Sequence, residues 1–392
     1  MKGPSGGTGA LVARRLGANQ NGYTSLGTRE SKGGEPNGCF GHCPRMKTHL
    51  VAAAAALALS AGSARAEAEA KIPVERARTA PVFTAYFEND VFAGKDEHYT
   101  NGVKLSWISG DLTDWGQLGW RKTVVESLPF VNQTEHQKNI GIALGQNIYT
   151  PADTSLAVPD PRDRPYAGWT YLEFSFISKT DRIMDTVALQ LGIVGPHSFA
   201  EDIQKWVHRV VASDEPMGWN SQLKDEPGVN FVLERKWRLY RRTLSHKLGV
   251  DFIPHAGASL GNVQTYANAG GMVRLGFNLP SDFGVDLIRG GGSVSAPVND
   301  DDPRVSPRKN CSVFIFGGVD GRAVARDIFL DGNTFRDSAS VDKKNFVGDA
   351  YYGIGVIWGT WQLTCTQAVR SIEFKGQDGT SYFGSIMISK AF

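Results

Sequence analysis

Apolar and polar residues alternate with a period of two along most of the chain from residue 81 onward. Val103, Leu105 and Trp107 share one face of an extended segment, and Leu172 and Phe174 share a face of another. A period of two is the pattern of a β-strand with two unlike faces. It predicts twelve strands, at about 81–90, 100–110, 138–148, 168–178, 184–194, 228–241, 247–259, 264–278, 310–330, 347–358, 361–374 and 381–392.

Most of the predicted strands run about 10–14 residues, the length that a tilted strand needs to cross a bilayer and about twice the mean of soluble sheets. Their number is even, as bacterial single-chain barrels require, and the chain ends on a strand with the aromatic Phe392. A soluble sandwich produces similar alternation, but the strand length favours the membrane. The sequence therefore predicts an all-β fold, a 12-stranded antiparallel transmembrane β-barrel with one helix in an extracellular loop. Inward residues such as Tyr171 and Glu173 predict a narrow or filled lumen.

Two kinds of connection join the predicted strands. Gly359-Thr360, between Trp358 and Trp361, suits a periplasmic turn with both tryptophans at the membrane interface. The four long stretches are assigned to extracellular loops, at 111–137, 149–167, 195–227 and 279–309.

The stretch 195–227 contains the one predicted helix. Ser198 and Glu201 have the spacing of a capping box. An apolar stripe at helical spacing consists of Phe199, Ile203, Trp206, Val207 and Val210. Gln204 and His208 lie four residues apart on the opposite side. We expect the stripe to pack against the barrel, which would leave His208 as a solvated histidine.

Residues 46–66 have the features of a secretory signal peptide. Lys47 follows Met46, residues 50–61 are apolar, and Ala64-Arg65-Ala66 offers small residues at both cleavage-site positions. Residues 1–45 lack periodicity, which favours a start codon assigned too early, with a genuine cytoplasmic leader as the alternative. The expected organisation is an upstream leader at 1–45, a signal peptide at 46–66 and an outer-membrane β-barrel domain at 67–392.

Charge changes the picture only after this cut. The full chain carries 42 Lys and Arg against 40 Asp and Glu. Eight of the basic and two of the acidic residues lie in residues 1–66, so 34 basic and 38 acidic residues remain, a net charge of about −4. The basic balance of the whole chain is therefore no sign of nucleic-acid binding. The 45 glycines have no three-residue period, which excludes collagen, and the 10% aromatic content excludes disorder.

The cysteines and one serine motif suggest no catalysis. After the cut only Cys311 and Cys365 remain, and in an oxidising compartment they either pair or face the membrane as free thiols. Gly257-Ala258-Ser259-Leu260-Gly261 fits the G-x-S-x-G motif of serine esterases. That motif needs a strand-to-helix elbow, and here strands flank it on both sides, so a hairpin is expected.

Four segments together resemble the lipid A 3′-O-deacylase (LpxR-like) family of outer-membrane barrels. They are YFENDVFAGKDEHYTNGVKLSW at 86–107, QNIYTPADTSLAVPDPRDRPYAGWTYLEFSF at 146–176, LGIVGPHSFAEDIQKWVHRVVASDEPMGWNSQL at 191–223 and ASLGNVQTYANAGGMVRLG at 258–276. The segments follow the family's order and span essentially the whole chain after residue 66. The resemblance implies a twelve-stranded barrel, with the active site between the outer rim of the wall and a loop helix, and calcium-dependent hydrolysis of an acyloxyacyl ester on lipid A.

The resemblance carries functional residues over position by position. The family's Asn-Asp pair matches Asn89 and Asp90, its Tyr-Thr-x-Gly matches residues 99–102 with Thr100, and its Gln-x-x-x-His matches Gln204 and His208. An acidic residue six positions further matches Asp214, with Glu215 as the competitor if the alignment slips by one. The family's lysine after the third strand has no counterpart near Leu156, so Arg162 or Arg164 replaces it in binding substrate, or the substrate differs.

The residue types agree with that chemistry. Ca²⁺ prefers six to eight hard oxygens, and Asp90, Asn89, Thr100 and Asp214 or Glu215 supply oxygens of that type. A neutral histidine accepts a proton from water near pH 7, so His208 is the expected general base, with His98 as the rival. Asn89 could instead orient the base or bind the oxyanion. A divalent ion would stabilise the oxyanion.

Structural interpretations of the same residues remain open. Asn89 and Asp90 suit a rim turn, Thr100 an ordinary strand position, and 163–168 a loop entry fixed by Pro165. The leading hypothesis is a lipid A deacylase of the outer leaflet, with lipid A or lipopolysaccharide as substrate, outer-membrane lipids as surroundings and no nucleic-acid partner. The alternatives are a barrel esterase or phospholipase acting on another lipid, and a noncatalytic barrel or porin. The oligomeric state is open, since an apolar wall suits lipid and a neighbouring subunit equally.

Overall fold

A computed structural model describes residues 80–90, 98–112, 114–211, 214–290, 292, 296–306 and 310–392. The predicted leader at 1–45 and signal peptide at 46–66 lie outside these residues and stay predictions.

The described residues form thirteen β-strands in one antiparallel sheet. In chain order they are β1 Val82–Asn89, β2 His98–Ile108, β3 Gln137–Thr150, β4 Ala167–Lys179, β5 Ile183–Val194, β6 Glu226–Trp237, β7 Tyr240–Ser245, β8 Leu248–Gly261, β9 Gln264–Phe277, β10 Cys311–Asp327, β11 Phe346–Trp358, β12 Trp361–Arg370 and β13 Ser381–Ala391. All twelve predicted strands are present, and most bounds agree within two or three residues.

The sheet closes into a barrel with twelve positions around its wall. β1 pairs with β13, and β6 pairs with both β5 and β8. β6 and the short β7 pair with successive parts of the same strand, β8. β6 pairs with residues 255–261 of β8, and β7 pairs with residues 248–252. β6 and β7 therefore share one wall position, and the predicted 12-stranded antiparallel barrel is confirmed.

The two faces of the wall differ in polarity as the alternation predicts. Outward side chains are exposed and apolar, for example Phe83, Leu105, Leu144, Leu172, Val273 and Ile354. Inward side chains are buried and often charged, for example Lys104, Glu173, Glu234, Asp251 and Arg274. Apolar outside and polar inside is the arrangement of a barrel that crosses a bilayer.

The connections lie at two ends of the barrel. We call the end where β3 meets β4 and β5 meets β6 the upper end, and the end with the Gly359-Thr360 turn the lower end. Antiparallel strands alternate in direction, so the connections 109–136 and 278–310 both lie at the lower end. Assigning 111–137 and 279–309 to extracellular loops was therefore wrong, because length was used where strand direction decides the side. The assignments of 149–167 and 195–227 agree with the upper end.

The connection after β9 folds back into the barrel, and we call residues 279–306 the lumen plug. Two lysines of the inner wall donate hydrogen bonds to its backbone: Lys104 Nζ to the carbonyl oxygen of Gly292 at 2.7 Å, and Lys179 Nζ to that of Ala296 at 2.6 Å. The Ile288 amide donates to Glu88 Oε1 at 2.7 Å, close to the upper end of β1. The plug thus spans much of the lumen, and the predicted filled lumen is confirmed.

Buried ion pairs fix the lumen plug to the wall. Arg274 on β9 bonds Asp251 on β8 at 2.6 Å and Asp282 of the plug at 2.5 Å. Asp282 also accepts from Arg304 at 2.8 Å. Further up, Lys236 bonds Asp286 at 2.5 Å. In a lumen of low dielectric constant such charges are tolerated only as pairs, so the plug neutralises part of the charge that the inner wall carries.

Three α-helices occur in the described part of the chain, α1 Lys122–Glu126, α2 Ala200–Val211 and α3 Ile328–Asp331. The predicted loop helix is α2, and the other two are short. The predicted capping box is wrong, because Phe199 takes a left-handed φ of 58° between Ser198 and the helix, and the Ser198 hydroxyl donates instead to the carbonyl oxygen of Gly195 at 2.6 Å.

Cys311 and Cys365 are free thiols. None of the helices in the described residues is long and apolar enough to cross a membrane.

Candidate active site

Gly168, near the start of β4, provides the seat for α2 on the outer face of the wall. A Cβ atom at this position would lie 2.1 Å from Ser198 Oγ and 2.2 Å from Ala200 Cβ, so a larger residue would displace the segment. The Ser198 carbonyl accepts hydrogen bonds from Thr170 and Gln146, both at 2.7 Å. Since α2 contacts β3 and β4, the start of the helix is anchored on these two strands.

The helix faces the wall with its polar side, opposite to the expectation from its apolar stripe. Gln204 and His208 are buried, whereas Phe199, Ile203, Trp206 and Val210 are exposed. The expectation that the stripe packs on the barrel and leaves His208 solvated was therefore wrong. The physical reason is that the surroundings of a membrane barrel are apolar, so an exposed stripe need not be hidden against the protein.

A backbone carbonyl fixes the ring of His208. Nδ1 lies 2.5 Å from the carbonyl oxygen of Asp214. A carbonyl only accepts, so Nδ1 must carry the proton and donate it. In the neutral ring the lone pair then belongs to Nε2. The chain segment that follows α2 thus selects the tautomer in which Nε2 is the basic nitrogen.

Gln204 is oriented by an indole group. Trp219 Nε1 donates to Gln204 Oε1 at 2.8 Å, and the indole nitrogen can only donate. The amide oxygen must therefore face Trp219, and Nε2 points elsewhere. Gln204 Nε2 is buried with no hydrogen-bond partner among the described residues. A buried N–H donor of this kind is available to an oxygen atom of a ligand.

Aromatic packing holds Trp219 in place. Its ring centroid lies 5.0 Å from that of Tyr166, and both side chains are buried together with Ile148 and Ala200. The Tyr166 hydroxyl donates to the carbonyl of Thr154 at 3.3 Å, which ties this cluster to the loop between β3 and β4.

A row of cross-strand partners runs along the upper rim from α2 to the first strand. We call Gly168, Ile148, Asn101 and Asn89 the rim row, since each is directly opposite the next in neighbouring strands. Their side-chain positions share the outer face of the wall. All four are buried, unlike the exposed outward residues lower on the same strands. Asn89 thus belongs to the covered part of the wall that includes the seat of α2.

Asp90 and Thr100 lie at the end of the rim row. Asp90 directly follows β1 and is buried. In the β2–β3 ladder Tyr99 pairs with Tyr149 and Asn101 with Ile148, so Thr100 is the extra residue of a β-bulge. A bulge leaves one residue out of the regular hydrogen-bond ladder and re-aims it, and bulges are frequent beside active sites.

The acidic residues after α2 are on the surface. Both Asp214 and Glu215 are exposed, and Glu215 Oε1 lies 3.7 Å from Arg209 Nε. Among the residues that the structure describes, no group of three or more His, Cys, Asp or Glu side chains is arranged to hold a metal ion. The oxygen types of Asn89, Asp90, Thr100 and Asp214 nevertheless fit the chemistry of Ca²⁺.

The two candidate arginines differ in exposure, although both lie in the upper loop between β3 and β4. Arg164 is buried at the lumen mouth, 3.2 Å from Glu373 and stacked 4.9 Å above the Tyr149 ring. Arg162 is 85% exposed and pairs with Asp160 at 2.6 Å. Hydrogen bonds from Arg162 lower the pKa of Asp160 to about 2, so this pair stays charged at neutral pH. Of these two side chains, only that of Arg162 is accessible to a large ligand.

The rivals predicted from the sequence are the serine motif at 257–261 and His98. Residues 257–261 belong to β8, and Ser259 donates to the Gln264 carbonyl at 3.1 Å across the hairpin to β9, as expected. No strand-to-helix elbow surrounds Ser259. His98 is the first residue of β2.

Sequence reasoning missed the buried residues that surround α2 and the rim row. Trp219, Tyr166 and Asn101 are buried there, and none was singled out beforehand. The signal for Trp219 was weak, because nothing in the spacing of Gln204 and Trp219 announces a hydrogen bond across fifteen residues.

The fold and the site together define the class of protein. The apolar exterior and the filled, charged lumen define a transmembrane β-barrel. The buried His208, on the wall-facing side of α2, marks a candidate enzyme site on the outer face of this barrel. A family model described as outer membrane protein LpxR matches residues 50–392. The chain belongs to this family, as the resemblance predicted, and is an outer-membrane protein.

Solved structures agree with the fold. LpxR from Salmonella typhimurium superposes with a TM-score of 0.63 at 16% sequence identity, covering 79% of this chain and all of that one. At this identity the match shows the fold alone. The β domain of the Bordetella autotransporter BrkA (TM-score 0.36, 9% identity, 80% and 100% coverage) and the KdgM porin (0.33, 5%, 79% and 99%) resemble the chain only weakly. No curated protein matches the sequence.

Proposed function

We propose that the protein is a lipid A deacylase that hydrolyses the 3′ acyloxyacyl ester of lipid A in the outer leaflet of the outer membrane. Family membership supports the substrate class. The single observation that carries the proposal is the buried His208, whose Nδ1 donates to the Asp214 carbonyl on the outer face of the wall. A histidine fixed in this tautomer at the membrane surface is suited to act on an ester of a lipid.

His208 is the general base in this proposal. Nε2 takes a proton from water as the water attacks the ester carbonyl, and the protonated ring then gives a proton to the leaving alkoxide. The Asp214 carbonyl holds the ring throughout and stabilises the imidazolium that forms. No covalent intermediate is required.

The dimensions of α2 and of the rim row support a site that this base shares with the remaining candidates. His208 is eight positions after Ala200 in the helix, a rise of about 12 Å at 1.5 Å per residue. From Gly168 to Asn89 the row crosses three strand spacings, about 14 Å. A helix lying across the strands from its seat would therefore bring His208 to the region of Asn89, Asp90 and Thr100.

Calcium is part of the proposal. Asp90 with Asn89, Thr100 and either Asp214 or Glu215 would hold it. When bound, the ion would supply positive charge that stabilises the developing oxyanion. Asn89 has an alternative role at the same site, which is to orient the base or bind the oxyanion.

Gln204 and Arg162 are the proposed substrate contacts. Gln204 Nε2 is a buried donor that would bind the ester oxygen, where its partnerless N–H gains a hydrogen bond. Arg162 would bind a phosphate group of lipid A at the rim, in place of the missing lysine. Arg164 is committed to Glu373 on the lumen side and would act only through the loop.

The mass spectrum of lipid A tests this function. Cells that produce the protein should contain lipid A lighter by one acyloxyacyl unit, and purified protein in detergent should lose activity when calcium is chelated. Unchanged lipid A with cleavage of another lipid ester would favour the esterase or phospholipase alternative. The absence of any ester hydrolysis would favour a noncatalytic barrel.

Export by the predicted signal peptide is a further part of the proposal. Cleavage after Ala66 would leave Glu67 as the first residue. The intact mass of protein purified from outer membranes checks this, and retention of residues 46–66 would contradict it.

A further inference from the structure

Three sectors run along α2. Successive residues of a helix are about 100° apart, so the helix can be divided by direction. Ala200, Gln204 and His208 form the sector that faces the wall, and all three are buried. The two remaining sectors are mostly exposed, with Lys205 half-buried, and one is apolar while the other is charged.

One exposed sector is apolar, and we call it the apolar flank: Ile203, Trp206 and Val210, with Phe199 just before the helix. Trp206 is 60% and Val210 65% exposed. Such exposure of large apolar side chains on one side of a helix is unfavourable in water. An exposed apolar patch therefore indicates a contact with another apolar surface.

The other exposed sector is charged, and we call it the charged flank: Asp202, Lys205 and Arg209. Lys205 pairs with Glu201 at 2.7 Å, one turn earlier. The wall sector, the apolar flank and the charged flank point in directions roughly 120° apart. A helix with this division has one side for protein, one for hydrocarbon and one for water.

The apolar flank is continuous in character with the belt of the barrel. Below the seat of α2 on β3, β4 and β5, the outward residues are Leu144, Leu172 and Leu191, exposed by 49%, 46% and 41%. In an outer-membrane protein this belt contacts the acyl chains of the bilayer. The same partner therefore satisfies the apolar flank if the helix lies in the membrane interface.

We propose that α2 is an interfacial helix whose apolar flank binds acyl chains of outer-leaflet lipids, while its charged flank stays in water. The helix lies parallel to the bilayer plane, with its axis at the boundary between headgroups and acyl chains. None of the four residues of the apolar flank belongs to the candidate catalytic site. One consequence rests on the proposed function: His208 then sits at the depth of ester bonds, and the substrate enters sideways from the leaflet.

Spin labels measure the depth of each flank. All four cysteines are replaced by alanine, and single cysteines are placed at Trp206, Val210, Asp202 and Arg209, with Leu144→Cys as the membrane standard. Labelled full-length protein is reconstituted in lipopolysaccharide-containing liposomes, and collision with oxygen is compared with collision with a water-soluble nickel chelate. Labels at 206 and 210 should favour oxygen as the standard does, and labels at 202 and 209 should favour nickel. Equal values at the four helix positions, or nickel preference at 206 and 210, overturn the proposal.

A substrate comparison separates this inference from the proposed function. Trp206→Glu and Val210→Glu should reduce hydrolysis of lipid A in bilayers at least tenfold, and leave hydrolysis of a detergent-dispersed short-chain ester within twofold. Equal loss on both substrates contradicts the inference. If wild-type protein cleaves neither, the proposed function fails, and the spin-label result alone decides the place of α2.

Discussion

The Gln204 amide has only one orientation that satisfies its neighbour, since the Trp219 indole can donate but never accept. Trp219→Phe keeps the ring and its packing on Tyr166 but removes the N–H, so the amide becomes free to turn. We expect kcat for lipid A hydrolysis to fall about fivefold to tenfold, the value of one hydrogen bond, with KM little changed.

Trp115→Phe is the matched control. Trp115 is equally buried, and its indole donates to the Val131 carbonyl at 3.1 Å at the lower end of the barrel. Its loss should leave kcat unchanged. In Gln204→Ala protein, adding Trp219→Phe should cost nothing more; additive losses would contradict a role through Gln204.

The two arginines should separate into a substrate contact and a structural anchor. Arg162→Ala removes an exposed charge, and we expect KM to rise about fivefold with stability unchanged. Arg164→Ala removes the arginine that bonds the buried Glu373 at 3.2 Å and leaves Arg370 beside that carboxylate at 3.6 Å. That variant should lose its folded gel mobility at a lower temperature than wild type. A higher KM for Arg164→Ala at unchanged stability, with Arg162→Ala silent, would reverse these roles.

The start of α2 can approach β4 closely because residue 168 is a glycine and has no side chain. Gly168→Val would drive Cβ into Ser198 and Ala200 and lift the helix from its seat. We expect loss of most activity while the barrel still folds and inserts. Gly321→Val is the control, since the nearest atom to its added Cβ is 3.7 Å away, and it should keep activity. Full activity of Gly168→Val would show that the seat is not needed.

The strands could be predicted because apolar and polar residues alternate whichever face of the strand meets lipid. The orientation of α2 could not be predicted from its sequence. The apolar stripe from Ile203 to Val210 indicates that one side of the helix contacts an apolar surface. Both a barrel wall and a bilayer provide such a surface. The His208–Asp214 contact also escaped prediction, because a backbone carbonyl carries no signature in sequence. The side of the connection 279–309 could have been deduced by counting strand directions, and length misled the interpretation instead.

The filled lumen makes the molecule a closed barrel. The plug bonds the inner wall from Asp282 near the lower end to Ile288 near the upper end. Purified wild-type protein should therefore show no steady conductance in planar bilayers. A stable open channel in the wild type would contradict the plugged lumen and favour a porin.

Removing the carboxylate at Asp282 should loosen this plug. Asp282→Ala leaves Arg274 and Arg304 without a shared partner in a buried site. We expect the free energy of unfolding to fall by about 3–5 kcal/mol and transient channel openings to appear. The paired change Lys375→Ala, at an exposed ion pair with Asp342, should alter neither property.

The most direct test compares lipid A from cells that produce wild-type protein, His208→Ala or His197→Ala at equal levels in the outer membrane. His197 lies in the same loop but is exposed and pairs with Asp225 at 2.6 Å. Mass spectra should show one acyloxyacyl unit removed by wild type and His197→Ala, and intact lipid A with His208→Ala, whose rate should be lower by about 100-fold or more. Lipid A shortened equally by His208→Ala would contradict the account.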